Sequence, residues 1–285
     1  MNQKNYINNQ WLDAQDSSTF KVENPFTEQS IAQVPLSSKK DVDAAVQAAK
    51  TSWKDWKLMG SLDMRDLLRE VAVKSRAHDR ELAEIITRES GKPLIECLDE
   101  IEWIASIFEY YSEIGRDQRG RVVAPVARRS MSMVVKEAYG VVGCIVPWNY
   151  PLLLMAWKAA PALAAGNTVV VKPSEITPLS IMRWLEVACD HLPHGILNMV
   201  TGYGETGAAL AEHPDVRVIA FTGSVETGKK IAAMAAKQLK RTSLELGGND
   251  PIIICDDVDI EIAARGTTWG GLLNAGQVCT SLERV

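Results

Sequence analysis

The feature that most constrains the fold is a regular alternation of short apolar strands and helical segments between residues 141 and 255. Such alternation is typical of parallel βαβ units, so we expect an α/β fold with a parallel sheet covered by helices on both faces. Strands are predicted at 141–146, 168–171, 197–200, 216–221, 243–246 and 252–255, and helices at 178–191, 204–212 and 225–238.

The N-terminal part has a different pattern. Residues 6–35 resemble short strands and turns, and from residue 39 to about residue 115 apolar side chains recur at helical spacing. Gly91-Lys92-Pro93 breaks this pattern, and a final helix is predicted over 94–114. Polar and apolar residues alternate within 130–136, which predicts a further strand.

Composition limits the classes of partner. The 285 residues are enough for a large core and two domains. A net charge of −5 argues against nucleic acid or an anionic membrane as the main partner, because binding phosphate backbones requires concentrated Lys and Arg. No apolar run reaches the length of a membrane span, and the first five residues lack the apolar stretch of a secretory signal.

The cysteines indicate a reducing compartment. Five cysteines, an odd number without a Cys-x-x-Cys pair, fit reduced cytoplasmic thiols better than a disulfide framework or a zinc site. We predict that four of them are small buried residues, namely Cys97, Cys144, Cys189 and Cys255. The four histidines show no spacing typical of a metal site, so no metal is expected.

Two glycine-rich segments are candidates for binding a dinucleotide. Gly202–Gly207 matches G-x-G-x-x-G after a strand, with Glu226 near the position of a ribose-binding acid. The segment 221–228 also follows a strand and opens a helix, where backbone N–H groups suit pyrophosphate and the Ser224 hydroxyl adds a donor. The alternatives are an ordinary turn and an ordinary capped helix start.

Another candidate ligand-binding segment lies at the end of the strand 168–171. Lys172 and Glu175 follow it at the carboxyl edge, where open α/β sheets bind ligands. There they can hydrogen-bond the two hydroxyls of an adenosine ribose, or form a solvated pair at a turn.

Three separate residues suggest acyl chemistry: Cys279 as a nucleophile, Glu245 as a carboxylate base and Asn149 as an amide donor. Taken singly, they also fit a core thiol, a charge at a strand end and a turn residue.

Five motifs in register resemble the aldehyde dehydrogenase superfamily, over the whole chain. Thirty-four positions separate Glu245 from Cys279, a spacing similar to that of the family. The motifs are Pro147-Trp148-Asn149-Tyr150-Pro151, Lys172-Pro173-Ser174-Glu175, Phe221-Thr222-Gly223-Ser224 with Gly228, Glu245-Leu246-Gly247-Gly248 and Gly276-Gln277-Val278-Cys279.

The resemblance implies a mechanism. The Cys279 thiolate would attack an aldehyde, and the Asn149 amide and the Cys279 backbone N–H would stabilise the oxyanion. After hydride transfer, Glu245 would activate the water that hydrolyses the thioester. We expect its neighbours Leu244 and Leu246 to provide an apolar setting that raises its pKa.

The resemblance also implies a Rossmann-type sheet that binds NAD, with NADP as the alternative. Glu175 favours NAD, because a carboxylate near the ribose would repel a 2′-phosphate. The implied cofactor residues are Trp148, Lys172, Ser174, Glu175, Gly223, Ser224, Gly228 and Leu246.

The implied organisation has two parts. Residues 1–246 would form the N-terminal helices and the dinucleotide domain, with an oligomerisation hairpin at about 121–138, and 247–285 would begin a second α/β catalytic domain. A homodimer or homotetramer is expected of the full-length protein.

In the family a long segment follows the nucleophile, so the expected alternative is a truncated, non-catalytic cofactor-binding fragment. A third hypothesis, an alcohol-type dehydrogenase using Gly202–Gly207, would require a catalytic Tyr-Lys pair, or a metal or His-based site.

Overall fold

The computed structural model describes residues 2–117 and 119–285, so Met1 of the N-terminal segment and Gln118 lie outside the described residues. The chain opens with four short strands, β1 (Asn5–Ile7), β2 (Gln10–Leu12), β3 (Thr19–Glu23) and β4 (Ser30–Pro35). Four helices follow: α1 (Lys39–Trp56), α2 (Ser61–Ala77), α3 (Asp79–Ser90) and α4 (Leu94–Ile114).

The predicted break between α3 and α4 is confirmed. Gly91 has φ 76° and ends α3 in the left-handed conformation that glycine adopts at low cost. Pro93 then precedes α4, which spans the predicted residues 94–114. The boundary between α2 and α3 at His78 was not predicted, because it carries neither glycine nor proline.

A two-stranded hairpin follows a short 3₁₀ turn at Gly115–Asp117. Strand β5 (Arg121–Val123) pairs antiparallel with β6 (Ser132–Val134), which confirms a strand within 130–136. Many apolar side chains of this segment are exposed, including Val122, Val126 and Met131.

The predicted βαβ alternation forms the main sheet. Its strands are β7 (Val141–Ile145), β8 (Thr168–Lys172), β9 (Leu197–Met199), β10 (Val216–Gly223) and β11 (Arg241–Leu246). The helices between them are α5 (Pro151–Ala164), α6 (Leu179–Ala188), α7 (Gly204–Glu212) and α8 (Val225–Ala236).

These five strands are parallel and lie in the order β11-β10-β7-β8-β9, with β1 and β2 added antiparallel beyond β9. The fold is therefore α/β with a Rossmann-type strand order. From β7 the chain adds β8 and β9 on one side and then β10 and β11 on the other, so the switch in strand order lies between β7 and β10.

Two apolar cores cover the faces of this sheet. In β7, Val142 and Cys144 pack on the side of α2, α4, α5 and α6, whereas Val141 and Ile145 pack on the side of α1, α7 and α8. Every residue of β7 and β8 is buried, as expected of central parallel strands. Within the described residues, no helix is long and apolar enough to span a bilayer.

The last segment contains β12 (Asp250–Pro251), α9 (Ile260–Leu272), a 3₁₀ turn at Leu273–Gly276 and β13 (Leu282–Arg284). Strand β12 pairs with β13 and not with the main sheet, and the predicted domain boundary after residue 246 stays a prediction. The prediction of a strand at 252–255 is wrong. An apolar run forms a strand only where a partner supplies hydrogen bonds, and here pairing ends with the bond from Ile252 N to Arg284 O (2.8 Å).

Candidate functional site

A crevice opens at the carboxyl ends of β7 and β10, where the strand order reverses and where open α/β sheets bind ligands. Its volume is about 450 Å³. Six of the predicted cofactor residues line it: Trp148, Lys172, Ser174, Glu175, Gly223 and Ser224.

Helix α8 begins at the floor of this crevice. The Ser224 hydroxyl caps the helix by accepting a hydrogen bond from Thr227 N at 3.2 Å. The first N–H groups of a helix have no partner within the helix, so the start of α8 offers donors to an anion such as pyrophosphate.

Gly228 and Leu246 support the crevice by packing against each other. A Cβ atom on Gly228 would lie 2.6 Å from Leu246 Cδ2, so a larger residue here would require the Leu246 side chain to move. Their predicted role as cofactor contacts stays a prediction, and the contact that the structure gives them is this packing.

Lys172 and Glu175 place opposite charges on the wall of the crevice. Lys172 Nζ lies 3.4 Å from Glu175 Oε2. Burial lowers the pKa of Lys172, while the Glu175 carboxylate acts in the opposite direction. The lysine is buried and the glutamate is partly exposed, so the pair presents a donor and an acceptor to a polyhydroxylated ligand.

The G-x-G-x-x-G segment follows β9, the third parallel strand, whereas the dinucleotide fingerprint belongs to the first βα turn. The first βα turn of this sheet contains Trp148 and Asn149 instead. Gly204 and Gly207 line the crevice, but Glu226 is exposed on α8 and pairs with Lys230 at 2.6 Å. The segment therefore lacks the ribose-binding acid that the fingerprint requires.

Asn149, the residue after the crevice-lining Trp148, bonds to the loop that carries Cys279. Its Nδ2 donates to the carbonyl oxygen of Gln277 over 2.8 Å, across 128 residues of sequence. Because Gln277 offers a carbonyl acceptor there, the amide nitrogen of Asn149 faces the loop. The structure thus brings the predicted oxyanion donor to within two residues of the predicted nucleophile.

The loop before Cys279 has an unusual backbone. Asn274, Ala275 and Gly276 have φ values of 47°, 56° and 78°, three consecutive residues in the left-handed region. Asn274 is buried, whereas Cys279 is exposed. Sequence reasoning missed Asn274, because no local pattern marks it.

The expected apolar setting of Glu245 is not formed. Glu245 is exposed, and Leu244 and Leu246 pack against the core on the α8 side of the sheet. Side chains of a strand alternate between its faces, so the two neighbours of Glu245 necessarily point away from it.

A buried cation that sequence reasoning overlooked lies on the face of Glu245. Lys158 of α5 and Glu245 both line a cavity of about 640 Å³, and Lys158 Nζ donates to Thr222 Oγ1 at 2.5 Å. Burial lowers the pKa of Lys158, and electrostatic interactions with Cys144, Glu245 and Cys279 act in the opposite direction. The sequence signal that could have identified Lys158 is its position as a lone lysine within an apolar helix.

Three of the four cysteines predicted to be buried are buried, and the prediction is wrong for Cys255, which is exposed. Burial raises the pKa of the Cys97 thiol to about 11 and that of Cys144 to about 12. These two thiols are therefore poor nucleophiles. In the described ranges, no group of three or more His, Cys, Asp or Glu side chains is arranged for a metal ion.

The strand order and the crevice define a nucleotide-binding type of α/β protein. The chain belongs to the aldehyde dehydrogenase family, which it matches over residues 11–285. It is 41% identical to betaine aldehyde dehydrogenase 1 of Oryza sativa subsp. japonica over 290 aligned positions, which cover 98% of this chain and 57% of the relative.

Two further similarities agree with this assignment. A mitochondrial succinate-semialdehyde dehydrogenase of Arabidopsis thaliana is 42% identical over 281 positions, 98% of this chain and 53% of the relative. A point mutant of Staphylococcus aureus betaine aldehyde dehydrogenase, solved in complex with NAD+, superposes with a TM-score of 0.95 at 36% identity, covering 98% of this chain and 58% of that one. The chain thus spans about half the length of the curated relatives it matches.

Proposed function

We propose that the protein oxidises an aldehyde to a carboxylic acid with NAD as the hydride acceptor. The observation that carries the proposal is the 2.8 Å hydrogen bond from Asn149 Nδ2 to Gln277 O, which joins the nucleotide-type crevice to the loop of Cys279. Membership of the aldehyde dehydrogenase family supports the same reaction.

Each step has a residue of this chain. The Cys279 thiolate attacks the aldehyde carbon and forms a thiohemiacetal. Its oxyanion accepts hydrogen bonds from the Asn149 side chain and the Cys279 backbone N–H. When bound, NAD would supply the hydride acceptor, and loss of a hydride from this carbon would leave a thioester on Cys279. Glu245 takes a proton from the water that hydrolyses the thioester.

The crevice fits a dinucleotide. In the proposed binding mode, the start of α8 and Ser224 hold the pyrophosphate, and Lys172 and Glu175 hold the adenosine ribose. The Glu175 carboxylate disfavours a 2′-phosphate, so we infer a preference for NAD over NADP. The named relatives act on different aldehydes, and the aldehyde used here is left to a substrate panel.

Turnover tests the proposal. The purified chain is mixed with NAD+ and with betaine aldehyde, succinate semialdehyde and aminoaldehydes, and reduced nicotinamide is followed by absorbance. We expect turnover that disappears in Cys279→Ser and persists in Cys255→Ser, a matched change at another exposed cysteine. Equal turnover in Cys279→Ser and wild type would overturn the thioester route.

A second candidate is cofactor binding without turnover. It is favoured by exposure of the chemical groups, because Glu245 and Cys279 are exposed and none of the described residues of α9 is buried. Calorimetric titration with NAD+ distinguishes the candidates. Binding without reduced nicotinamide from any aldehyde of the panel would favour this second function.

We also infer a homo-oligomer, a dimer or tetramer, assembled through the β5–β6 hairpin. Its exposed apolar residues, such as Val122, Val126 and Met133, support this role. Light scattering after size exclusion tests the assembly. A cytoplasmic location is our further proposal, supported by the unpaired cysteines, and cell fractionation tests it.

A further inference from the structure

Helix α4 contacts the loop that carries Cys279. The Glu96 Oε2 atom accepts a hydrogen bond from the backbone N–H of Asn274 at 2.8 Å, across 178 residues of sequence. A charged acceptor makes a stronger bond to an N–H group than a neutral one does. Glu96 therefore fixes one point of a loop that is distant in sequence.

Asn274 passes this restraint to the rest of the site. It is 3% exposed, and its Nδ2 donates to the carbonyl oxygen of Asn149 at 3.1 Å. Its own carbonyl oxygen accepts from Gln277 N at 3.1 Å and from Gln277 Nε2 at 3.0 Å. The backbone N–H, the carbonyl and the side-chain amide of Asn274 are thus all engaged, and only the first bond goes to a residue outside the two loops.

The backbone that Glu96 holds is strained. Asn274 and Ala275 occupy the left-handed region, which is unfavourable for residues with a Cβ atom, Ala275 most of all. Such conformations persist where surrounding contacts impose them. Loss of the Glu96 contact would let residues 274–276 relax and would move Cys279, three residues further on.

We propose that Glu96 is a positioning residue that sets the placement of the Cys279 thiol relative to the Asn149 amide. The inference rests on the proposed function in taking Cys279 as the nucleophile and Asn149 as the oxyanion donor. Glu96 takes no part in the proposed chemical steps, and it lies on α4, a helix of the N-terminal part of the chain.

Two reactions of Cys279 separate positioning from general integrity. With 4-nitrophenyl acetate, the thiolate forms a C–S bond to the carbonyl carbon, the C–O bond breaks, and 4-nitrophenolate leaves with the electron pair. This reaction passes through an oxyanion, which the Asn149 amide would stabilise under the proposed function. With iodoacetamide, the thiolate displaces iodide and no oxyanion forms. Both rates are measured in a Cys255→Ser background, and their ratio reports the alignment of thiol and amide.

We expect Glu96→Ala to lower the ratio of acylation to alkylation by about tenfold, less than complete loss of a donor would. Glu96→Gln keeps an acceptor oxygen and should stay within about twofold of the parent, since a neutral acceptor weakens the bond only in part. Asp99→Ala, which removes an exposed carboxylate from the same helix, is the matched control and should leave the ratio unchanged.

An unchanged ratio in a folded Glu96→Ala protein would overturn the proposal, as would equal losses in Glu96→Ala and Glu96→Gln. If Glu96→Ala does not fold, Glu96→Asp, which withdraws the carboxylate by one methylene, carries the test and should lower the ratio. Neither reaction uses NAD or an aldehyde. A protein that fails to oxidise aldehydes but shows the expected ratios would refute the proposed function and retain this inference.

Discussion

Lys92 Nζ lies 3.5 Å from the centre of the Tyr150 ring and forms an ion pair with Glu100 that is fully shielded from solvent. The same Nζ donates to the carbonyl oxygen of Asn149 at 3.2 Å, and Glu100 Oε1 accepts from the N–H groups of Leu152 and Leu153 at the start of α5. The pair therefore anchors the loop that carries the proposed oxyanion donor.

Removing one partner of this pair should be costly. We expect Lys92→Met to lower the free energy of unfolding by about 3 kcal/mol, because it leaves Glu100 as an uncompensated buried charge. Urea denaturation followed by circular dichroism measures the change. Lys230→Met, which breaks an exposed pair with Glu226, is the control and should have little effect. Equal effects of the two substitutions would contradict the role given to the buried pair.

Asn149 should affect rate more than binding. In the proposed reaction Asn149→Ala removes one oxyanion donor, for which we expect kcat to fall by about 100-fold with KM little changed. Steady-state kinetics on the best aldehyde of the panel measures both. Gln238→Ala removes another side-chain amide that donates to a backbone carbonyl, Glu212 O at 2.7 Å, and should leave kcat unchanged. A rise in KM with kcat unchanged would show that Asn149 binds the substrate without stabilising its transition state.

Local sequence signals predicted the elements well. The observed bounds of α4 and α7 agree with the predicted ones. For α4, the preceding Gly91-Lys92-Pro93 marks the start of the helix clearly. Strand order, however, is a long-range property, and the position of the crevice between β7 and β10 depends on it. The alternation of strands and helices alone does not specify that order.

The parts of the site that sequence reasoning missed are also long-range. Lys92, Glu96 and Asn274 meet Asn149 or its neighbouring loop across separations of 57 to 178 residues, which no local pattern encodes. The environment of Glu245 was predictable, since side-chain alternation along β11 places Leu244 and Leu246 on the other face. A strand at 252–255 was predicted from its apolar run, and only the absence of ladder partners in the described structure explains why it does not form.

Glu89 should make stability depend on pH. Its carboxylate is fully buried and accepts from Leu179 N at 2.7 Å and Ser180 N at 3.0 Å, at the start of α6. Burial raises the pKa of Glu89 to about 8, although these N–H groups act in the opposite direction. Because the folded state holds this proton more tightly than the unfolded state, its contribution is complete below about pH 4.5 and is lost as the pH rises toward 8.

The comparison with Glu89→Gln isolates this effect, because the amide keeps an acceptor oxygen but does not titrate. We expect the difference in free energy of unfolding, wild type minus variant, to decrease between about pH 5 and pH 8. Chemical denaturation at several pH values measures it. A difference that stays constant over this range would mean that the helix N–H groups keep Glu89 ionised.

Close packing between α8 and β11 leads to a prediction whose sign depends on Leu246. Gly228→Ala gains about 1 kcal/mol of helix propensity, but the new Cβ would lie 2.6 Å from Leu246 Cδ2. Overpacking of this kind costs about 1–3 kcal/mol, so we expect Gly228→Ala to destabilise the wild-type chain by about 1 kcal/mol.

In a Leu246→Ala background the obstacle is gone, and the same Gly228→Ala substitution should be stabilising because only the helix propensity remains. A double-mutant cycle in urea measures this reversal of sign. Gly266→Ala in α9, where a Cβ would meet open space, is the control and should stabilise in both backgrounds by about 1 kcal/mol. If Gly228→Ala has the same effect with and without the Leu246 side chain, the contact does not fix how closely α8 approaches β11.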